Sequence, residues 1–556
     1  MPAYRKSLAI GFFARFWAEV SLSLGVAVPV IAGVKSMDQI ANGVLERGVT
    51  RGEQDLEEVN IVQQRKPPVD GPLTQAEQVV GKSVPHLSAL KQTTGHALYV
   101  DDMPPFAGEL YGALVLSTKA HAKILSIDAS EALALPGVTH FVSAKDVPGS
   151  NVWSPPAMDE EFFASKEVHM FGQVIGVVTA TSKRLAQRAA KAVKVEYEEL
   201  EHWLTIEEAI KRDSFFPPRR VLSKGTWAPA NDLADNDFAD CELVEEGTTR
   251  MGGQEHFYLE TQACLVVPGY ERGDCEIFSS TQNPTETQVF CASALGVPSN
   301  QVVVRAKRCG GGFGGKESKA VALAGQISVA AHVTGRPVRC MLDRDEDMIV
   351  SGQRHPFLAH WKVGFNRSGK LIRLRCKIFN NGGWSQDLSE AVLARAMFHV
   401  DNCLDWQHLH VEGKIARTHT MSNTAFRGFG GPQGMFVAED IVDCVARRLG
   451  ISAEKLRRDN MPEEGYVTHY TQPLLDWNVP ALWDQLWQSA DMEKRLAAVD
   501  AFNTKNVWKK RGLCMLPSKF GISFTALFLN QASALVHVYN HDGSVLLSHG
   551  GVEIGQ

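Results

Sequence analysis

The chain has 556 residues, a length that predicts about three or four domains. Hydrophobic residues make up 44% and charged residues 22%, a composition typical of globular proteins rather than disordered or fibrous ones. The net charge of −6 comes without a basic block, which argues against nucleic acid as a partner.

The first 60 residues contain an apolar segment that could be mistaken for a membrane span. Val20–Val34 is an uncharged run of 15 residues, which is short for a span, and Arg15 and Glu19 interrupt the apolar block before it. No cleavage site follows, so a buried amphipathic helix over Tyr4–Leu24 is favoured over a signal peptide, and no membrane is expected as a partner. Residues 61–85 are polar and contain several prolines, which predicts a linker.

Residues 86–215 show the mixed patterns of a small α+β domain. Leu110–Leu116 and Gly172–Val178 are short apolar runs that predict strands, and Ser182–Val193 has the apolar periodicity of a helix. A polar stretch over Pro217–Asn236 predicts a break before the next domain.

Residues 237–490 form the largest predicted domain and contain a glycine-rich loop. This loop, Gly310–Glu317, follows a strand predicted over Gln301–Arg308 and precedes a helix predicted over Lys319–Thr334. Five of the six residues from Gly310 to Gly315 are glycine. Because glycine has no Cβ, such a backbone can approach an anion or a flat cofactor closely, so the pattern predicts a cofactor site.

The pattern of the glycine loop leaves the kind of cofactor open. Gly310-x-Gly312-x-x-Gly315 matches the dinucleotide fingerprint, with Asp343 at the end of a following predicted strand as a candidate ribose ligand. A phosphate-binding P-loop also nearly matches, but Glu317 replaces the Ser or Thr that would bind magnesium. A third interpretation depends on motifs elsewhere in the chain.

Two polar motifs near this loop have some of the features of metal sites. Glu255 and His256 have no third ligand at helical or hairpin spacing, so a buried structural pair is predicted. Asp343-x-Asp345-x-Asp347 imitates a calcium loop, but Met348 replaces the glycine that such a loop requires. This second motif is therefore predicted to be a charged surface turn.

Residues 491–556 are predicted to begin a further domain. A charged helix over Met492–Lys505 precedes three strands, which are predicted over Gly521–Leu527, Ala534–Tyr539 and Val545–His549. A glycine turn over 550–555 follows the last strand.

Five motifs follow one another along the chain: Thr281-Gln282-Asn283, Gly310–Glu317, Asn423–Gln433, Lys519–Thr525 and Glu553–Gln556. Together they resemble the molybdenum-cofactor region of the eukaryotic xanthine dehydrogenase family, and they are more specific than one glycine fingerprint. The resemblance covers nearly the whole chain and implies a multidomain α+β and α/β fold, in which a hammerhead domain is followed by molybdenum-cofactor-binding domains. The implied parts are the end of a flavin domain (1–60), the linker (61–85), the hammerhead domain (86–215), the first molybdenum domain (237–490) and a truncated second one (491–556).

The resemblance also implies roles for individual residues. Gln282 would hydrogen-bond the molybdenum oxo ligand, and Phe313 and Arg427 would belong to the surroundings of the pterin and the metal. Glu317 would bond the edge of a purine, while Arg395 would face it and stabilise charge on the ring. Gln282, Glu317 and Arg395 are thus the candidate catalytic residues. The other candidates are Phe429 and Phe524 for stacking on the ring, Thr525 for its edge, and Gly312, Gly314 and Gln556 for the cofactor.

The function implied is that of a molybdenum hydroxylase that oxidises hypoxanthine and xanthine towards urate. Aldehyde oxidase shares the scaffold, and an inert binding or scaffold derivative of the fold is a third alternative. Glu317 and Arg395 favour a purine, because an aldehyde pocket has no need of two opposed charges. The family's general base, a glutamate, lies on a segment beyond Gln556, so this chain alone is expected to be incomplete and inactive.

The family's other properties complete the expectation. The 2Fe–2S clusters of the full-length proteins, and nearly all of the FAD domain, would lie on segments that this chain does not match. The family implies a homodimer. The ten cysteines stand singly without a CxxC pair, which argues against a zinc or iron–sulfur motif here and for the cytoplasm, with the peroxisome as the alternative.

Overall fold

The computed structural model describes residues 86, 88–227, 235–269, 274–521, 524, 526, 529, 530 and 533–555. The predictions for residues 1–60 and 61–85, and the candidates Thr525 and Gln556, lie outside these residues. Tyr99–Gln556 is one compact unit, and the short helix α1 (Ala89–Thr93) belongs to the segment before it.

Strands and helices alternate through most of the described residues. The strands are β1 (Leu110–Leu116), β2 (Ala122–Asp128), β3 (Val138–Ser143), β4 (Val152–Trp153), β5 (Glu160–Glu161), β6 (Glu167–Val168), β7 (Val174–Ala180), β8 (Lys194–Glu199), β9 (Phe215–Lys224), β10 (Leu243–Met251), β11 (Ala263–Pro268), β12 (Cys275–Ser279), β13 (Val302–Arg305), β14 (Val338–Met341), β15 (Phe357–Phe365), β16 (Leu371–Gly383), β17 (His408–Arg417), β18 (Ala534–Val538) and β19 (Val545–His549). The helices after α1 are α2 (Ser130–Leu133), α3 (Lys183–Ala190), α4 (Ile206–Lys211), α5 (Pro284–Leu295), α6 (Lys319–Thr334), α7 (Arg344–Val350), α8 (Ser389–Phe398), α9 (Gly431–Leu449), α10 (Ala453–Asp459), α11 (Val479–Ser489) and α12 (Met492–Lys505).

A seven-stranded mixed sheet has the order β13-β12-β11-β14-β1-β7-β3. At its centre β1 pairs in parallel with β14, with Leu110 opposite Val338, and antiparallel with β7. The sheet therefore joins strands from the predicted hammerhead domain to strands from the predicted first molybdenum domain. Its hydrophobic core also contains residues of α5 and α6.

Helix α6, which follows the glycine loop, is the central helix of this core. Twelve of its 16 residues are buried, as expected for a helix that is apolar on nearly all faces. At Gly325 a Cβ would lie 2.1 Å from the ring of Phe162, so the glycine permits this close contact. The helix ends at Gly335, whose φ of +61° gives a left-handed C-cap. The bounds predicted from the sequence are confirmed.

A five-stranded sheet, β10-β15-β16-β17-β9, forms the second half of the fold. Side chains of α8 and α9 pack with it in a second hydrophobic core. The predicted break over Pro217–Asn236 is wrong for its first part, because Phe215–Lys224 forms β9. Proline is tolerated there because β9 is an edge strand and its register with β17 shifts between Gly413 and Ile415, beside the two prolines.

Three smaller sheets complete the described structure, one of which is the short antiparallel pair β4-β5. The order β6-β2-β8 forms a three-stranded sheet, and β18 pairs with β19 as an exposed hairpin, with Ala534 opposite His549. The predictions for α12 and β19 are confirmed to the residue. Gly521, Phe524 and Ala526, the described residues of the predicted strand over 521–527, are not in a strand. Among the described residues, no helix is both long enough and apolar enough to span a membrane.

Candidate active site

The glycine loop is attached to the core by Lys316. Its side chain is fully buried, and Nζ donates to Ser280 Oγ and to the Glu260 carbonyl oxygen, each at 2.7 Å. The ammonium also lies 4.6 Å from the ring centre of Tyr258. Burial lowers the pKa of Lys316, although the Glu260 carboxylate opposes that effect. A P-loop lysine must reach a phosphate, whereas Lys316 anchors the loop, so the P-loop interpretation is wrong.

Gln282 is the partner of the loop on its other side. Its Oε1 accepts hydrogen bonds from the backbone N–H of Gly314 at 2.9 Å and of Lys316 at 3.3 Å, and its own N–H donates to the Lys316 carbonyl at 2.8 Å. A Cβ at Gly312 would lie 2.4 Å from Oε1, so this glycine makes room for the Gln282 side chain. Nε2 of Gln282 donates to no atom of the residues described. It is a donor that a ligand can use.

A second loop, Asn423–Gln433, contacts the first. The N–H of Arg427 donates to the Phe313 carbonyl at 2.8 Å, and the Ala425 carbonyl accepts from His256 Nε2 at 2.7 Å. A Cβ on Gly314, whose φ is +100°, would lie 2.6 Å from that same carbonyl. The sequence analysis assigns Gly314 to cofactor binding. In the structure, the atoms nearest to a Cβ at Gly314 belong to the second loop. Gly314 is thus required for loop-to-loop contact.

Phe313 and Arg427 mark the outer edge of this contact. Phe313 has a φ of +54° and a ring that is 40% exposed, and Arg427 is exposed as well. The carbonyl of Arg427 accepts from Arg354 Nη2 at 2.8 Å, and the Arg354 guanidinium lies 4.0 Å from the ring centre of Phe426. Burial lowers the pKa of Arg354 to about 10. Arg354 pairs with no carboxylate of the described chain, so positive charge adjoins this edge.

Glu317 ends the glycine loop with a half-buried carboxyl group. No hydrogen bond from any described residue reaches this carboxyl. Burial raises the pKa of Glu317 to about 7, and the negative charges of Asp387 and Glu286 add to the effect. Near neutral pH the group therefore exists in both forms, and it can donate or accept a hydrogen bond.

Asp387 belongs to a buried polar network beside Glu317. Its carboxylate accepts from Ser318 Oγ at 2.8 Å and from Thr424 Oγ1 at 3.0 Å, and it pairs with Lys319 Nζ at 2.9 Å. Lys319 also pairs with Glu160 at 2.9 Å. Burial alone would lower the pKa of Lys319, but the Asp387 and Glu160 carboxylates raise it above its ordinary value. The sequence analysis did not predict this network. Lys319 is the first residue of an apolar helix, and a lysine at that position could have indicated a buried ion pair.

Arg395 lies on α8 and is buried. Its Nη1 donates to the Gly521 carbonyl at 3.3 Å, and its guanidinium lies 5.2 Å from the ring centre of Phe520. Burial lowers the pKa of Arg395. The structure thus brings this arginine to the Lys519–Thr525 motif, while no ion pair joins it to Glu317.

The two aromatic candidates are not stacked on each other. Phe429 has a φ of +50° and is half-buried against the core of the five-stranded sheet. Phe524 is 51% exposed, and its N–H donates to Asn530 Oδ1 at 2.9 Å. Among described residues the structure brings together Gln282, the glycine loop, Phe313 and Arg427, whereas the ring sandwich stays a prediction.

The structure changes the interpretations of Asp343 and Asp347. Asp343, the candidate ribose ligand, is bound by Lys183 Nζ at 2.8 Å and Gln187 Nε2 at 2.6 Å, so the dinucleotide interpretation fails. Asp347 is fully buried, where it accepts from Tyr258 Oη at 2.8 Å, so a charged surface turn is wrong for this residue.

Glu255 and His256 do not form the predicted pair. His256 bonds the Ala425 carbonyl, while Glu255 accepts from Gln353 Nε2 at 3.1 Å. His256 is buried and Glu255 is only half-buried. Each of the two residues therefore has its own partner in a different segment of the chain.

Comparisons with known families agree with this architecture. Residues 94–201 match the a/b hammerhead domain of aldehyde oxidase and xanthine dehydrogenase. Residues 215–461 and 485–556 match molybdopterin cofactor-binding domains. The chain therefore belongs to the molybdenum hydroxylases, and its fold is a hammerhead domain followed by molybdopterin cofactor-binding domains.

Individual relatives narrow the class further. The whole chain aligns with a xanthine dehydrogenase from Emericella nidulans at 50% sequence identity, and the alignment covers 39% of that protein. It also aligns with a xanthine dehydrogenase/oxidase from Gallus gallus at 47% identity, over 40% of that protein. A nicotinate hydroxylase from Emericella nidulans aligns with the whole chain at 46% identity, over 39% of that protein. The chain is thus similar over its whole length to xanthine dehydrogenases and, nearly as much, to a nicotinate hydroxylase. It spans about 40% of the length of these relatives.

A solved structure shows the same fold. The aldehyde oxidoreductase from Desulfovibrio gigas aligns with a TM-score of 0.69 and 27% identity, over 76% of this chain and 47% of that one. The fold class expected from the sequence is confirmed, as is the molybdopterin cofactor.

Proposed function

We propose that the protein containing this chain oxidises a purine, xanthine or hypoxanthine, towards urate. The observation that carries the proposal is the carboxyl group of Glu317, which has a pKa of about 7 and no partner among the described residues. A purine edge presents both N–H donors and nitrogen or oxygen acceptors. A carboxyl group that is half protonated near neutral pH can match either kind of atom.

The residues at the loop contact fit the molybdenum cofactor. Gln282 Nε2 offers a donor, and Phe313 and Arg427 lie at an exposed edge next to the positive charge of Arg354. The bound cofactor supplies two-electron hydroxylation chemistry. Gln282 holds a polar group of that cofactor, and Glu317 orients the ring. Arg395 stabilises negative charge that develops on the ring, as a fixed cation does in a water-poor site.

The remaining proposals concern the whole protein. The chain covers 39–40% of its relatives, which leaves room in them for the FAD and 2Fe–2S domains that the family implies. The ten cysteines are all free thiols, which supports the cytoplasm over an oxidising compartment. The homodimer rests on the family alone, and light scattering on the native protein tests it. The predicted domain bounds, 86–215, 237–490 and 491–556, stay proposals.

A chimaera tests the purine proposal. The chain replaces the matching segment of the Emericella nidulans xanthine dehydrogenase, and kcat/KM is measured for xanthine, nicotinate and an aromatic aldehyde. We expect xanthine to be preferred. In the chimaera, Glu317→Val with Arg395→Met should lower kcat/KM for xanthine while sparing the aldehyde.

Four outcomes of this experiment would contradict the proposal. A preference for nicotinate would assign the site to that acid, and a preference for the aldehyde would favour the aldehyde oxidase alternative. An inactive chimaera with full molybdenum content would favour the inert scaffold. Equal loss of all activities in the double variant, with a lower melting temperature, would show that Glu317 and Arg395 serve the fold rather than the purine.

A further inference from the structure

Two histidines and a glutamate meet on the three-stranded sheet of the hammerhead domain. Strands β2 and β6 run antiparallel, with Ala122 opposite Val168. His121 precedes β2 and His169 follows β6, so the same register continues to these two residues. Glu167 is two positions from His169 and therefore shares its face of the strand. Side chains from two adjacent strands thus converge at one end of the sheet.

The three side chains have the spacing of metal ligands. His121 Nε2 lies 2.7 Å from Glu167 Oε1, and His169 Nδ1 lies 3.4 Å from the same oxygen. One ligand atom from each residue lies within 4.8 Å of the others. Bonds of about 2.0–2.2 Å to a tetrahedral ion place ligand atoms about 3.3 Å apart, so small movements suffice. The side chains are 16%, 35% and 28% exposed, which leaves access for an ion.

A backbone carbonyl next to Nδ1 of His121 leaves Nε2 as the nitrogen that can bind a metal ion. Nδ1 of His121 lies 2.5 Å from the carbonyl oxygen of Glu201. A carbonyl only accepts hydrogen bonds, so Nδ1 carries the proton and the lone pair of Nε2 faces the Glu167 carboxylate. Two acceptors at 2.7 Å require a positive centre next to them, either a second proton or a metal ion. A histidine that donates its other N–H to a carbonyl is the usual arrangement around bound metals.

Aromatic rings hold both imidazoles in place. The ring of His121 stacks on His419 at 4.1 Å between ring centres, and the ring of His169 stacks on Trp384 at 5.4 Å. Trp203 contacts His419 edge-on at 4.4 Å. His419 and Trp384 lie in the segment that matches the cofactor-binding domain, whereas the three candidate ligands lie in the hammerhead segment. The cluster is therefore located where the two domains meet.

We propose that His121, Glu167 and His169 bind a divalent ion of the zinc class, with water as the fourth ligand. Two imidazole nitrogens and one carboxylate are a ligand set that zinc accepts with one position left open. The ion neutralises Glu167 and fixes the two imidazoles against His419 and Trp384. Its effect is to stabilise the junction between the hammerhead and the cofactor-binding domain.

Zinc binding by the 556-residue chain tests the proposal. Chelator-treated protein carrying Cys514→Ser, which removes the exposed thiol, is titrated with zinc chloride in a non-coordinating buffer by calorimetry. We expect one ion per chain and a higher melting temperature with zinc. Glu167→Gln and His169→Asn should each weaken binding by at least about tenfold and abolish the melting shift.

A matched control separates this site from general histidine binding. His202 is an exposed histidine close in sequence to the same sheet, and His202→Asn should leave zinc affinity unchanged. Glu167→Gln keeps the shape of the side chain, so its circular dichroism should match that of the parent. Absence of saturable zinc binding in the parent would overturn the proposal. Equal affinity in His169→Asn and the parent would also overturn it.

Discussion

The side-chain amide of Gln282 is held in one orientation by the backbone N–H of Gly314. Oε1 accepts from Gly314 at 2.9 Å and from Lys316 at 3.3 Å. Because both neighbours are donors, the oxygen faces the loop and Nε2 is the atom left for a ligand. The loop therefore prepares a donor before any cofactor arrives, and such preorganisation lowers the entropic cost of binding.

Replacing Gln282 with glutamate separates its two roles. A carboxylate still accepts from Gly314 and Lys316, so the fold should be retained. It cannot donate as Nε2 does, and the loss of one hydrogen bond to a ligand costs about 1 kcal/mol, roughly a fivefold loss of affinity. We expect Gln282→Glu to lower the molybdenum content of protein produced with cofactor supply. Metal analysis beside a thermal melt measures both effects.

A surface glutamine provides the control for this change. Gln485 is exposed on α11, and Gln485→Glu should alter neither metal content nor melting temperature. If Gln282→Glu retains full molybdenum content, its amide nitrogen has no part in holding the cofactor. A collapsed melt would instead show that the loop does not tolerate the charge.

Gly314→Ala is expected to destabilise the protein itself. Its Cβ would lie 2.6 Å from the Ala425 carbonyl, at a φ of +100° that residues other than glycine rarely adopt. Strain and overpacking together should cost about 3 kcal/mol. Gly335→Ala is the matched variant, since its φ is +61° with nothing within 4 Å, and it should cost about 1 kcal/mol. Chemical denaturation of both variants measures the difference, and equal costs would contradict the collision with Ala425.

Local patterns predicted much of the fold. The bounds of α6 and α12 and the position of the hairpin β18–β19 follow from apolar periodicity, which neighbouring elements do not override. The strand β9 did not follow, because a pair of prolines is typical of a break and only its place at a sheet edge makes it tolerable. Sheet position is a long-range property that no local pattern contains.

The sequence also predicted some parts of the candidate site and missed others. The glycines, Gln282 and Arg427 are recognisable because they stand in motifs with fixed order. The contact between Gly314 and the Ala425 carbonyl could not be predicted, because Ala425 is more than one hundred residues away in the chain, and the cofactor role of Gly314 stays a prediction. Asp347 was predicted to lie in a surface turn and no partner was predicted for Lys319, but both are buried and tertiary partners compensate their burial. Burial of a charge can be inferred only when its partners are known.

Lys319→Met should be among the most destabilising single changes in the chain. It removes the buried cation that pairs with both Asp387 and Glu160, each at 2.9 Å. Breaking such a buried arrangement typically costs about 3–5 kcal/mol, because the carboxylates keep their desolvation cost without the compensating charge. Lys123→Met removes a half-exposed partner of Glu198 and should be nearly neutral. Similar denaturation midpoints for the two variants would contradict the structural role of Lys319.

The raised pKa of Glu317 predicts a pH-dependent stability. The ordinary pKa of a glutamate is 4.5, and in the folded protein burial raises that of Glu317 to about 7. Between these values the folded chain binds more protons at this site than the unfolded chain. The contribution of Glu317 to stability is therefore fully present below pH 4.5 and is lost as pH rises through 7. Glu317→Gln, which stays neutral, should raise the melting temperature at pH 8 and change it much less at pH 5.

Two comparisons establish whether Glu317 is the group that titrates. Glu493 is exposed on α12, so Glu493→Gln should shift the melting temperature equally at both pH values. Asp387 and Glu286 face Glu317, and Lys319 balances Asp387 but not Glu286, so Glu286→Gln should reduce the pH dependence without removing it. If Glu317→Gln has the same effect at pH 5 and pH 8, then Glu317 is ionised over the whole range. It would then accept hydrogen bonds from a substrate but donate none, and only the N–H groups of a ring would be matched.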